Sequence, residues 1–220
     1  MTRLFIKSLL TSLCQREDLY PSLAKRGKGR FSDSCKFNYE TLLMHPLIIG
    51  IAGAYSGAGK TTVACEILKR FKGWGAIKYT KTSLYSSITG DLEILLEEGK
   101  DTRKMTDAGA EQVLWVQAPS DELEKVILQA VDMLSHLEGI IIEGNSAVNA
   151  VKSDIVLFVS GSPHLSKNDA GQFLDTADIV LSDPKFPQRL PAANRQYRKD
   201  DVEGYLRCLE RIIEEKRINR

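Results

Sequence analysis

Gly50-Ile51-Ala52-Gly53-Ala54-Tyr55-Ser56-Gly57-Ala58-Gly59-Lys60-Thr61-Thr62-Val63 is the stretch that decides the reading of this chain. An apolar run passes into a glycine-rich loop, and the loop into the start of a helix. Ser56 to Thr61 spell S-G-A-G-K-T, the closing half of a P-loop. Small residues let consecutive backbone N–H groups turn inward around phosphate oxygens. The helix that follows adds free N–H groups and the positive end of its dipole. In such a loop the lysine, here Lys60, reaches the β- and γ-phosphates, and the Thr61 hydroxyl holds Mg²⁺. The candidate nucleotide-binding residues are therefore Tyr55, Ser56, Gly57, Ala58, Gly59, Lys60, Thr61 and Thr62. The full motif, G-x-x-x-x-G-K-[ST], would place its first glycine at position 54, which is Ala54; Gly53 lies one place earlier.

Working outward, the 220 residues suffice for one α/β domain with a real core. With 43% hydrophobic and 27% charged residues, the composition is that of a soluble globular protein. The net charge of +1 is unevenly spread: residues 1–46 carry eight basic and four acidic side chains, the remainder 22 and 25. That balance does not call for nucleic acid as a partner. The four cysteines, at 14, 35, 65 and 208, share no C-x-x-C spacing, which argues against a zinc site and a disulfide framework. No apolar run approaches the roughly 18 residues of a membrane span. A cytoplasmic location, without a membrane partner, is the expectation.

The first segment differs from the rest. Its apolar residues are broken by Lys7, and Lys25-Arg26-Gly27-Lys28-Gly29-Arg30 is a basic, glycine-spaced patch. Residues 1–43 are read as a disordered N-terminal extension, and residues 44–220 as a nucleotide-binding domain.

Strands and helices alternate after Met44. Leu47 to Ala52 suits a buried parallel strand. Val63, Ile67 and Phe71 mark a helix that Gly73 ends. Trp74 to Tyr79 reads as a second strand, running into Lys78-Tyr79-Thr80-Lys81; Lys78 and Lys81 belong either to a ligand-binding edge or to a solvated loop. Residues 84–100 read as loop-rich. Asp101-Thr102 is a candidate N-cap for a helix to Ala108, although the Asp101 carboxylate could instead face a metal. Gln112 to Val116 is a third strand, followed by a helix after Ser120-Asp121-Glu122. Gly139 to Glu143 is a β-branched central strand, and a carboxylate at such a strand end, here Glu143, acts on Mg²⁺ or on water. Asp154 to Ser160 and Ala177 to Ser182 are further strands, residues 184–199 read as irregular, and Asp200-Asp201 caps a last helix. The pattern predicts a three-layer, doubly wound, mostly parallel sheet of the P-loop NTPase fold.

Four stretches together resemble the molybdopterin-guanine dinucleotide biosynthesis protein B (MobB) family. They are Ala54 to Thr62, Gly75-Ala76-Ile77-Lys78-Tyr79-Thr80, Gly99-Lys100-Asp101-Thr102 with Asp107-Ala108-Gly109-Ala110, and Ile140-Ile141-Ile142-Glu143-Gly144. The likeness covers roughly residues 47–160. The resemblance implies binding of GTP with Mg²⁺, weak GTP hydrolysis, assistance to a guanylyltransferase acting on molybdopterin, and a homodimer. It makes Thr61, Asp101 and Glu143 the candidate metal ligands and Lys60 and Glu143 the candidate catalytic residues. Two places differ from the family. Tyr79, Lys81 and Ser83 stand where it has histidine and aspartate, and Asn145-Ser146 follows E-G where it has phenylalanine and lysine. ATP remains open beside GTP. Two rival activities also remain: an ATP-dependent small-molecule kinase or dethiobiotin-synthetase-like ligase, and a non-enzymatic nucleotide switch or metallochaperone GTPase.

Overall fold

A computed structural model describes residues 45–161, 170–183 and 195–219. The expectation for residues 1–43 lies outside them.

The chain enters on β1 (Leu47–Gly53), whose residues are almost all buried. It crosses through α1 (Lys60–Arg70) to β2 (Trp74–Lys81). A short excursion, β3 (Ser87–Thr89) and α2 (Leu92–Leu95), leads to α3 (Asp101–Asp107) and β4 (Val113–Ala118). Next come α4 (Leu123–Met133), β5 (Gly139–Glu143), α5 (Asn145–Ala150) and β6 (Ile155–Val159). The described chain finishes with α6 (Ala170–Thr176), β7 (Ile179–Ser182), β8 (Arg195–Arg198) and α7 (Val202–Ile218).

The eight strands form one sheet in the order β3-β4-β2-β5-β1-β6-β7-β8. Every pairing is parallel except β3 with β4. β1 therefore sits inside the sheet, with β5 on one side and β6 on the other. Period-two alternation divides its residues between two cores. Ile49 and Ile51 join Val63, Ile67, Met105 and Leu209 under α1, α3 and α7. Ala52 joins Ile140, Ile142, Ile127, Val148 and Phe173 under α4, α5 and α6. Each fully buried Ile or Leu contributes roughly 1.5–3 kcal/mol of burial, so the two-sided cover holds the strands in place and leaves their carboxyl ends to carry loops. The molecule is an α/β protein with a mostly parallel sheet between helices, and among the described residues no helix is long and apolar enough to cross a membrane.

The strands expected at Leu47, Trp74, Gln112, Gly139, Asp154 and Ala177 are present within a few residues. The differences are informative. The loop-rich segment holds β3 and α2, residues 145–150 and 170–176 are helical, and β8 lies within the stretch read as irregular. Asp101 is the first residue of α3 and not its cap; Lys100 occupies the cap position and makes no side-chain cap bond.

Candidate functional site

The glycine-rich loop leaves the sheet at Gly53. The β1–β6 ladder extends one residue further, the Ala54 N–H donating to the Val159 carbonyl at 3.0 Å. Ala54 is buried, and no described residue other than glycine has a positive φ. Alanine is therefore sterically admissible where the motif usually has glycine. The tight approach falls one residue earlier, since a Cβ on Gly53 would lie 2.9 Å from the Lys60 Cγ. Lys60 folds its stem over Gly53 and donates from Nζ to the Tyr55 carbonyl at 3.0 Å. The Tyr55 ring lies where a side chain on Gly161 would be, so loop and β6 end interlock. Gly57 and Gly59 have φ of 88° and 101°, conformations open to glycine and strained for other residues. The bond from the Val63 N–H to the Gly59 carbonyl, 3.1 Å, opens α1; the amides of Lys60, Thr61 and Thr62 precede it at the helix's positive end.

The carboxylate comes from β5. Glu143 pairs with Ile51 on one side and Lys78 on the other, and its alternation places it on the face covered by α1. Its exposure is 2%. A buried charge needs partners, and both Glu143 oxygens have one. Oε2 accepts from the Thr61 hydroxyl at 2.9 Å, across 82 residues of chain. Oε1 accepts from Lys78 Nζ at 2.6 Å. Lys78 also bonds Asp101 Oδ2 at 2.9 Å, and Lys104 bonds Asp101 Oδ1 at 3.1 Å. Burial by itself would lower the Lys78 pKa, but the Glu143 and Asp101 carboxylates outweigh it and hold the ammonium above the ordinary lysine value. For Asp101, partial burial pushes upward, and the bonds from Lys78 and Lys104 prevail, leaving the carboxyl below its usual range.

Thr61, Lys78, Asp101 and Glu143 thus form one connected chain of polar contacts at the carboxyl ends of β2 and β5, beside the loop. Asp101 joins it through Lys78. Lys60 stands at the loop itself. Lys78 belongs to this cluster and not to a solvated loop, whereas Lys81 is exposed. Asn145 stood out in the sequence only as a departure from the family pattern, without a role, and Lys199 was not singled out at all. The Asn145 amide bonds the Gly53 backbone twice. Lys199 Nζ reaches the Ala58 carbonyl at 3.2 Å and Asp183 Oδ2 at 3.0 Å. A lysine 141 positions from the loop, after a strand hidden in an irregular-looking stretch, left no sequence signal.

Among the described residues no group of three or more His, Cys, Asp or Glu side chains gathers to hold a metal by itself. The donors on hand, one hydroxyl and one carboxylate, are of the hard-oxygen type Mg²⁺ takes, and Mg²⁺ usually completes its shell with water and phosphate oxygens. No protein-family model matches the chain, and comparison with curated proteins finds no match.

Proposed function

We propose that the chain is a Mg²⁺-dependent nucleotide-binding protein of the P-loop NTPase class, with GTP as its nucleotide and weak hydrolytic activity, serving molybdopterin-guanine dinucleotide assembly beside a guanylyltransferase. The observation that carries the nucleotide reading is the 2.9 Å bond between Thr61 Oγ1 and Glu143 Oε2. It joins the last residue of a G-K-T loop to a buried carboxylate on the neighbouring strand, the pair of oxygen donors such a site needs. Thr61 and Glu143 would hold Mg²⁺, which when bound would supply charge neutralisation to the phosphates.

The chain's own residues have separable tasks in this reading. Residues 55–62 supply backbone N–H groups to phosphate oxygens, and Lys60 swings from the Tyr55 carbonyl to the β/γ bridge. Thr61 and Glu143 offer oxygen donors to the metal, and Glu143 can orient the attacking water. Lys78, held by Asp101, keeps the Glu143 carboxylate aimed at Thr61.

The test is titration of Lys60→Ala with fluorescent GTP and ATP analogues. Affinity should fall at least a hundredfold; unchanged affinity would sink the phosphate-loop assignment. Calorimetry of the full chain against GTP, ATP and molybdopterin then separates the base preference from the cofactor role.

A further inference from the structure

We propose that Asn145 is a positioning residue for the phosphate loop, its side-chain amide standing in for a strand residue that β5 does not supply. The inference rests on the nucleotide-binding reading and names a residue that reading does not use.

β5 pairs with β1 as far as Glu143 opposite Ile51, and the Gly144 N–H still reaches the Ile51 carbonyl at 3.2 Å. The backbone then turns away. Gly144 has φ 131° and ψ 129°, and α5 begins at Asn145. Gly53, two residues beyond Ile51, presents its N–H and carbonyl to the same side of β1, where the departing main chain no longer answers. The Asn145 side chain does. Its Oδ1 accepts from the Gly53 N–H at 2.9 Å, and its Nδ2 donates to the Gly53 carbonyl at 2.9 Å. A carboxamide carries a donor and an acceptor side by side, as a peptide unit does, and only one orientation of the amide satisfies both Gly53 groups.

The position of this pair of hydrogen bonds gives it its consequence. Gly53 is where the loop leaves the sheet and where the Lys60 stem crosses. Asn145 is two residues from Glu143. The clamp therefore ties the entry of the loop to the segment bearing the carboxylate, at a point distinct from the Thr61–Glu143 bond. A metal ion arriving between Thr61 and Glu143 would replace that bond; the Asn145 clamp has no reason to open. It fixes the loop before a ligand arrives, so that less ordering cost falls on binding.

The experiment compares the full chain with Asn145→Ala and Asn145→Asp by amide hydrogen exchange of residues 53–61, affinity for fluorescent GDP and GTP, and melting temperature without nucleotide. In Asn145→Ala, exchange across the loop should quicken at least tenfold. Affinity should weaken about tenfold for both nucleotides, while melting shifts by a few degrees at most. The loss should fall on affinity far more than on turnover at saturation. Asn145→Asp, which can accept from the Gly53 N–H but not donate to its carbonyl, should lie between. Asn145→Ala affinity within twofold of the parent overturns the proposal. If Asn145→Ala unfolds, Asn145→Asp decides by the same two measurements. Should the parent bind no nucleotide, the proposed function fails; unaltered loop exchange in Asn145→Ala would then overturn the clamp independently.

Discussion

Glu143 and Lys78 show how two ionised side chains are held at low exposure. Glu143 is 2% exposed, and Lys78 faces both it and Asp101. Removing one partner of such a pair strands the other, at a cost of about 3–5 kcal/mol. Lys78→Met should therefore lower stability by about that amount, read by denaturant melts, and Mg²⁺ should recover part of it by giving Glu143 a new cation. Full stability in Lys78→Met would show that the ion pair is idle. Glu143→Gln keeps the shape but loses the charge and one of the two acceptor oxygens. Nucleotide binding should persist, while Mg²⁺-dependent turnover falls on the order of a hundredfold; normal hydrolysis would make Glu143 structural. The same cluster sets a pH dependence. Asp101 has its pKa depressed below 3.8, so its contribution to stability is present above that value and is lost as pH falls through the lower folded value. Lys78, raised above 10.5, contributes fully below that value and loses its contribution as pH rises through the higher folded one. Stability read between these limits should be flat with respect to this cluster, and Lys78→Met should remove the alkaline fall that it causes.

At the scale of elements, the turn from β5 into α5 joins the Glu143 end of the strand to the start of the glycine-rich loop. Gly144 adopts φ 131°, yet a Cβ there would sit 3.5 Å from the Tyr79 side chain, ordinary contact. The cost of Gly144→Ala is therefore backbone strain, roughly 1–3 kcal/mol. Loss of the Asn145–Gly53 bonds should accompany it, and denaturant melts together with loop exchange would reveal both. This element was half legible in the sequence. Ile140-Ile141-Ile142 announced a buried strand because β-branched residues have few other uses in such a run, and Glu143 stood out as a charge ending it. Asn145 to Ala150 gave no helical period, since six residues complete less than two turns and Asn, Ser and Val are indifferent helix formers. The role of Asn145 depends on the Gly144 turn, which brings a residue past the end of a strand back alongside it; periodicity cannot express that. Lys78 was visible as a strand-end lysine, but its partners lie 23 and 65 positions away and converge through the β2–β5 register. The strand order itself, with β5 inserted between β2 and β1, is a tertiary choice made by two buried faces and is not written in any one segment.

At the scale of the whole molecule, the two buried cores meet the loop-bearing edge of the sheet. The two cores lie above and below a sheet whose centre is β1 and β5. The carboxyl ends of β2 and β5 bring Lys78 and Glu143 to one edge, and the loop after β1 brings the start of α1, with Lys60 and Thr61, to the same edge. A nucleotide bridging these groups would tie the loop to two neighbouring strands and so stabilise the folded chain, which alone presents them together. At a ligand concentration a hundred times the dissociation constant, linkage gives about 2.7 kcal/mol. For a domain of this size that corresponds to a rise in melting temperature of roughly 5–10 °C. GTP with Mg²⁺ should produce such a rise in the full chain, and Lys60→Ala should show almost none. Chelating the Mg²⁺ should reduce the triphosphate's effect more than the diphosphate's, because in the proposed reading the γ-phosphate would depend on the metal and on the Thr61–Glu143 pair, whereas the loop amides alone would hold much of the diphosphate. A rise of equal size with and without Mg²⁺ would detach Glu143 from the metal and leave the loop as a phosphate cradle only. No rise with either GTP or ATP would remove the nucleotide from the account altogether.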